Sequence, residues 1–566
     1  LIRPKSHKSA VTSNYASELP LKTRSLCPDC KRVLDAEVYE RDGAVFIKKE
    51  CPEHGSFDEI YYEDVNYYNF ARKFATGSRS IENPNTGKIV ENNGSNCPND
   101  CGLCKNHHTH TGLANIAVTN RCDLSCWYCF FFAKEGSAIY EPSVKQIVNM
   151  VKNLRNERPV GTNALQLTGG EPTLRKDIVE IVKAIKKEGY DHIQFNTHGI
   201  NFAFNPELAK KVSEAGATTA YLSFDGTTPE TNPKNHYEIP LILDACRKGG
   251  LGIVLVPTLI RSVNDHNLGP IINFALNNLD IVRGVNFQPV SLVGRMPKTL
   301  RDKQRITIPG AIKKIEEQTN GMISMKDFFP VPCITPVSDF IEVLTNQPQY
   351  ELSIHFACGA ATYLFLDGDK VVPITRFVDV EGFFEFLKEK TEEIEKGKNK
   401  ALVTAKVLMK LNGFIDKKKQ PKGLNLSNLL FNALVKHDYD ALGEIHNKTL
   451  FIGLMHFMDP YLYDQQRVER CDIHYAMPDG RIIPFCAFNV IPEIYRDKVQ
   501  AQYSVPAEEW QKKNPKESVS YKYVRDAKKL EQDEKYKKSY FGTKNFFEKE
   551  KVLAYEKGMA RRFKLW

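Results

Sequence analysis

The sequence predicts an α/β protein: a partial (βα)6, TIM-like barrel of parallel strands, with a small N-terminal metal-binding domain before it and an α+β C-terminal domain after it. Three observations predict it. Six strand-like runs, Leu113 to Thr119, Ala164 to Thr168, His192 to Thr197, Thr218 to Phe224, Gly252 to Thr258 and Gly284 to Gln288, begin on average about 34 residues apart, the size of a βα unit. Between them apolar residues recur at helical spacing, as in Val144, Ile147, Val148 and Val151, and in Ile178, Ile181, Val182 and Ile185 before a stop at Gly189. The 14 cysteines are grouped at short spacings and are too sparse for a secreted disulfide scaffold, so they read as metal ligands in a reducing, cytoplasmic compartment.

Each element follows in order. A length of 566 residues calls for several folded units, expected at 1–75, 76–112, 113–320 and 321–566. Residues 1 to 20 are polar, and Leu1 to Ala10 lack the apolar core of a signal peptide. From Cys27 to Phe70, aromatic runs at Val45 to Lys48 and Glu59 to Tyr62 surround CPDC and CPEHG, which predicts a β unit stapled by metal. Gly77, Pro84, Gly87 and Gly94 mark a linker at 76–96. Beyond the barrel, Tyr363 to Thr375 and Ile473 to Pro484 read as hairpins, and 382 to 450 as helices with solvated lysine runs at Lys396 to Lys400 and Lys417 to Lys422. With 42% hydrophobic and 26% charged residues, and no apolar run near the roughly 18 residues that cross a bilayer, the composition excludes disorder and a membrane span. A net charge of +9 favours anionic partners without naming one.

The chemistry concentrates where the first barrel strand ends, in Cys122-Asp-Leu-Ser-Cys126-Trp-Tyr-Cys129. Three thiolates on one loop hold three of the four irons of an iron–sulfur cluster, leaving the fourth open to a ligand. The spacing lacks the two separated ligand pairs of structural zinc. CPDC and CPEH supply such pairs: Cys27, Cys30, Cys51 and His54 suit a tetrahedral zinc or a rubredoxin-like mononuclear iron. Pairing of Cys27 and Cys30 with Cys101 and Cys104 stays open. Cys97, Cys101 and Cys104, followed by His107, His108 and His110, offer a further site, and Cys333, Cys358, Cys471 and Cys486 a four-thiolate set for an auxiliary [4Fe–4S] cluster. Cys246 reads as a buried thiol inside a helix.

The cysteine loop with Tyr128 in its aromatic position, followed one βα unit later by Gly169-Gly170-Glu171-Pro172, resembles the radical S-adenosylmethionine (SAM) superfamily. The resemblance implies that the [4Fe–4S] cluster on Cys122, Cys126 and Cys129 cleaves SAM, and that the GGEP turn receives its methionine amino group. It further implies that Asn196, Thr197, Gly199, Ser223, Asp225, Thr258, Gln288 and Pro289 at the other strand ends contact the cofactor. It also implies a low-potential electron donor such as a ferredoxin. The segments CPDC to CPEHG, CPNDCGLC, Cys358 to Phe377 and Cys471 to Cys486 are similar to the group containing archaeal tetraether lipid synthase and relatives described as pterin-methylating enzymes. Gly112 stands where that group often carries a fourth nearby cysteine, leaving the ligand set of the Cys97 site open.

On that likeness the expected activity is carbon–carbon joining of the terminal methyl carbons of isoprenoid chains in archaeal diether lipids. The substrate would be a phospholipid, with peripheral membrane contact. The apolar region 382 to 460, including Leu429, Leu430, Phe431, Leu454, Met455, Phe457 and Met458, would then line a chain channel. The alternative is a radical SAM methyltransferase acting on a pterin or another small molecule. A zinc-dependent nucleic-acid-binding protein is the remaining class, and the GGEP turn after the cysteine loop argues against it.

Overall fold

Side chains alternating between core and solvent build an N-terminal ribbon of four antiparallel strands, β1 (Leu21–Leu26), β2 (Val33–Arg41), β3 (Ala44–Cys51) and β4 (Gly55–Tyr62). Leu34, Ala36 and Val38 on β2 and Val45 and Ile47 on β3 face inward, the period-two pattern of a half-buried sheet. Asp42 and Gly43, at φ 52° and 76°, make the tight β2–β3 turn, where both central residues need left-handed backbone. Asp64 then caps the helix Val65–Arg72 by accepting from Tyr67 N at 2.9 Å. This computed structural model describes residues 18–77, 81, 83, 96–131, 138–431, 449–519 and 521–548, so most of the expected linker and residues 1–17 lie outside the described residues.

The barrel strands are β5 (Leu113–Thr119), β7 (Ala164–Gly169), β8 (His192–Thr197), β9 (Thr219–Ser223), β10 (Gly252–Val256) and β12 (Val282–Pro289), with β6 (Ala138–Tyr140) and β11 (Thr258–Leu259) as short additions. They lie side by side in the order β5, β7, β8, β9, β10, β12, each pair parallel. Pro257, which has no N–H to donate, interrupts the fifth expected strand, so the run divides into β10 and β11. The helices Val144–Arg155 and Ile178–Lys187 bury Ile147, Met150, Val151, Leu154 and Ile178, Ile181, Val182, Ile185 against this sheet. Each such side chain contributes about 1.5–3 kcal/mol of gross hydrophobic stabilisation.

The later strands are β13 (Phe329–Pro330), β14 (Gly359–Asp367), β15 (Lys370–Pro373), β16 (Thr449–Met455), β17 (Ile473–Ala476), β18 (Ile482–Pro484) and β19 (Ser504–Pro506). Both expected hairpins form, as β14–β15 and β17–β18. Residues beyond 320 also extend the barrel sheet at both edges: β16 pairs parallel with β12, and β17 parallel with β5, giving a 13-stranded sheet. Much of the apolar region expected to line a lipid channel packs as core, although Phe457 lines the cavity at the strand ends. Phe383, Phe386, Leu387, Ile394, Val403, Val407 and Leu411 on the helices Val380–Glu395 and Lys400–Leu411 close on Phe340 and Ile341. Leu454 is a buried residue of β16, and residues 432–448 lie outside the described residues.

After β19, which pairs with β6, the chain wraps the outside of the barrel. Trp510 Nε1 donates to Glu141 Oε2 at 2.9 Å, and Arg525 pairs with Glu238 at 2.6 Å. Tyr540 stacks on His236 at 4.3 Å, and Phe546 and Phe547 join the main core.

Candidate active site and metal centres

The C-terminal ends of the barrel strands surround a cavity lined by Cys122, Cys126 and Cys129 together with Tyr128, Gly169, Gly170, Glu171, Asn196, Thr197, Ser223, Thr258 and Gln288. With Pro289, which also lines it, ten of the thirteen residues expected at the cofactor therefore share one space with the cysteine loop, while Gly199 precedes the helix Ile200–Phe204. Pro172 opens the short 3₁₀ turn Pro172–Leu174, and Asp225 lies one layer behind the cavity wall, 3% exposed.

The GGEP turn is welded to the root of the cysteine loop. Gly170 N donates to Thr119 O and Glu171 N to Arg121 O, each at 2.8 Å. A Cβ on Gly169 would stand 2.1 Å from Thr119 O, and one on Gly170 1.9 Å from Arg121 O, so both glycines are required by backbone crossing backbone. Arg121 fixes the same root from outside, donating to Glu141 Oε1 at 2.7 Å and pairing with Glu517 at 3.0 Å.

The Glu171 carboxylate is filled by protein donors. Oε1 accepts from Thr173 N, Thr173 Oγ1 and Thr197 Oγ1 at 3.1, 2.6 and 2.7 Å, and Oε2 from His198 N at 3.0 Å. His198 also reaches Asp123 at 2.7 Å. Burial disfavours its charged form, yet Glu171 and Asp123 hold it protonated well above the ordinary histidine range. On the other flank Asp225 accepts from Tyr128 OH and, at 2.8 Å, from Thr258 N, while Lys234 pairs with it at 3.1 Å. One carboxylate thus ties the aromatic residue of the cysteine loop to the fourth and fifth strand ends.

Sequence reasoning missed Lys234, His198, Asp123, Gln166 and Tyr221. Gln166 and Tyr221 were findable, because they alternate with Thr168 and Ser223 on the same inward faces. Gln166 donates to Asn115 Oδ1 at 2.8 Å and accepts from Gln194 Nε2 at 2.6 Å, giving the barrel interior a floor of amides. The opposite wall is aromatic: the rings of Phe130, Phe457 and Phe485 stand 5.2–6.0 Å apart. No signal in the sequence joins those three.

In the ribbon, Cys27, Cys30, Cys51 and His54 bring their ligand atoms within 4.8 Å of one another, as their spacing predicts for one tetrahedral ion. The hydrogen bond from His54, at 3.4 Å, draws the Cys51 thiol down to about 6, toward the thiolate that a metal needs. Among the described residues, Cys122, Asp123 and His198 form the other group as tightly drawn. The sulfurs of Cys122, Cys126 and Cys129 are not all gathered so closely, in keeping with a four-iron cube rather than a single ion.

Comparison with known proteins decides the family. The radical SAM superfamily model matches residues 116–275, and the HMPTM N-terminal zinc ribbon domain matches residues 19–63. A protein of Methanocaldococcus jannaschii, 7,8-dihydro-6-hydroxymethylpterin dimethyltransferase, is 46% identical over 501 residues, 87% of this chain and 97% of its own length. The chain belongs to the radical SAM superfamily, in the family of that archaeal enzyme. A GTP 3′,8-cyclase of Limosilactobacillus fermentum is 32% identical over 186 residues, 31% of this chain and 54% of that one. The structure of methylornithine synthase shares 17% identity over 38% of this chain and 64% of its own, with a TM-score of 0.31.

Membership of the radical SAM superfamily brings SAM and a [4Fe–4S] cluster as cofactors and a reductant, and the separate N-terminal match gives a zinc ribbon site. The donor set fits: burial holds Cys126 above the ordinary thiol range until metal displaces its proton, and the strand ends form a polar cradle beside it. The relationship overturns the expectation of lipid-chain joining and with it the diether phospholipid substrate, because the relative matched over 97% of its length is a pterin dimethyltransferase. Among the described residues no helix is long and apolar enough to cross a membrane.

Of the remaining cysteines, Cys471 is pushed up by burial first and then by the charges of Cys486 and Asp472, and burial alone raises Cys333, to about 12. Cys333 sits on the turn Val331–Ile334, whose Val331 packs on Gly359 at the start of β14. The buried Arg467 donates to Cys358 Sγ at 3.3 Å, a cation placed to offset thiolate charge. Cys97 hydrogen-bonds Cys101 and acts on Cys104. The nearby imidazoles turn elsewhere: His107 faces Cys471 O at 2.8 Å and His474 at 3.0 Å, and His110 accepts from Glu351 N at 2.7 Å.

Proposed function

We propose that this chain is a radical SAM methyltransferase acting on a reduced pterin of the 7,8-dihydro-6-hydroxymethylpterin type. The observation that carries the reading is the 46% identity to the Methanocaldococcus jannaschii enzyme across 97% of that enzyme's length. The cavity supports it. A pterin is flat, with a hydrogen-bonding edge, and Phe130, Phe457 and Phe485 offer it a stacking wall while Gln166, Asn196 and Gln288 offer donors and acceptors.

In this reading Cys122, Cys126 and Cys129 hold the cluster, and Gly169 to Pro172 with Asn196, Thr197, Ser223, Thr258 and Gln288 cradle SAM. Together the two cofactors supply hydrogen-atom abstraction from an unactivated C–H bond. Asp225 fixes Tyr128 and Thr258, Glu171 shapes the turn against His198, and the aromatic wall keeps water from the reacting carbon. Cys358, Cys471 and Cys486, with Cys333 on the adjoining turn, are read as ligands of an auxiliary cluster, and Cys97, Cys101 and Cys104 as ligands of another.

The test is turnover by anaerobically reconstituted, full-length enzyme given SAM, a strong reductant and 7,8-dihydro-6-hydroxymethylpterin. Mass spectrometry should show pterin bearing added methyl groups, with 5′-deoxyadenosine formed in a pterin-dependent way. SAM cleavage indifferent to the pterin, with the pterin recovered unchanged, would overturn the reading.

A further inference from the structure

Tyr221 lies in the middle of β9 and lines the strand-end cavity, yet it belongs neither to the cysteine loop nor to the GGEP turn. Its Cα stands level with Asn196 on β8 and with Val254 on β10, and Val254 in turn with Gly284 on β12. The phenol nevertheless meets Asn286 and Gln288, which follow Gly284 on the same face of β12. The ring therefore crosses β10 and rises toward the strand ends, where the cofactor and substrate sit.

The hydroxyl oxygen is already occupied. Asn286 Nδ2 and Gln288 Nε2 both donate to it, the second at 3.2 Å, and together they take its two lone pairs. Its hydrogen is not: among the described residues no acceptor receives it. Burial pushes the phenol up and outweighs the two amides, so that hydrogen stays in place at neutral pH. Tyr221 can therefore give a hydrogen bond to whatever fills the cavity, and it cannot take one.

We propose that Tyr221 determines substrate specificity, its O–H donating to the ring carbonyl oxygen of the reduced pterin and turning away an amino group in that place. The carbonyl is the strongest neutral acceptor on the edge of such a ring, whereas the ring N–H and amino groups beside it are donors. A donor set against a hydroxyl whose lone pairs are taken leaves two buried hydrogens face to face, neither of them bonded. Ser223, Thr258 and Gln288 present hydroxyls and an amide, which suit a ribose and an adenine. A group that only donates suits a carbonyl, which the adenosine of SAM lacks. The inference rests on the pterin reading above and deepens it.

The experiment is anaerobic equilibrium dialysis of the full-length, cluster-loaded enzyme, saturated with SAM and without reductant. The ligands are 7,8-dihydro-6-hydroxymethylpterin and its analogue with an amino group in place of the ring carbonyl. Wild type should bind the pterin about tenfold or more tightly than the analogue. Tyr221→Phe should weaken the pterin about tenfold and leave the analogue nearly unchanged, so that the two affinities converge while that for SAM holds. If Tyr221 merely props Asn286 and Gln288, the change weakens both ligands alike and the preference survives. That result, a wild type without the preference, or a Tyr221→Phe enzyme that loses SAM in place of the pterin would overturn the proposal. Wild-type enzyme that binds neither ligand would sink the pterin reading and this inference with it.

Discussion

Glu171 carries the turn that the resemblance assigns to SAM, yet its carboxylate is occupied by the protein itself. Its two oxygens accept from Thr173, Thr197 and His198, so the side chain sets the path of the backbone and leaves recognition to the atoms around it. Glu171→Gln places an NH₂ against one of these sets of donors. A buried donor left without an acceptor costs about 1–3 kcal/mol. The variant should therefore unfold at lower temperature and bind SAM more weakly, as thermal melts and equilibrium dialysis would show; wild-type values in both would refute this account. The glycines before it were legible as a motif, but the reason for them was not. They are small because Thr119 and Arg121 cross there, a contact between segments about fifty residues apart that spacing cannot reveal.

At the scale of elements, the ribbon does more than hold a metal. Thr23 Oγ1 and Tyr61 OH donate to Asp464 at 2.6 and 2.9 Å, and the buried Lys49 donates to Pro460 O and Tyr461 O at 2.8 and 2.9 Å. These bonds clamp the loop that begins at Phe457, one side of the aromatic wall. Small metal-stapled units lose their fold with the ion, because the ion's binding energy is their folding energy. Cys27→Ser should thus remove the ribbon's metal and speed hydrogen exchange across residues 457–464. It should also raise KM for the substrate while leaving the iron bound by Cys122, Cys126 and Cys129 in place. Metal analysis and exchange mass spectrometry read these outcomes, and wild-type protection of 457–464 in a metal-free ribbon would contradict the clamp.

For the whole molecule, the decisive feature is that the barrel sheet is finished by strands from far down the chain. Without β16 and β17, the parallel strands β12 and β5 would present open edges of unpaired N–H and C=O groups, which invite pairing between molecules. A chain ending at Gly321 should therefore associate or precipitate even though it contains every residue of the SAM motif. Size-exclusion chromatography distinguishes this from a soluble, folded monomer, the result that would show the barrel to be self-sufficient. The amide floor of Asn115, Gln166 and Gln194 is polar where a lipid would need hydrocarbon, and the apolar helices of 380–411 face one another.

The sequence by itself determined the local and the repetitive: six parallel strands, the helices between them, both hairpins, the ribbon's four ligands and the pairing of cysteine loop with GGEP turn. These depend on period, spacing and turn chemistry, which act over a few residues and are written in order along the chain. The tertiary structure alone decided what meets across distance. It brought Lys234 to Asp225, His198 to Asp123, and Phe130 to Phe457 and Phe485, and it packed the apolar helices of an expected lipid channel as core. An apolar stripe reads the same whether it faces a ligand or another helix, because burial lowers the free energy of both alike. Which one it faces is set by the packing of the whole chain.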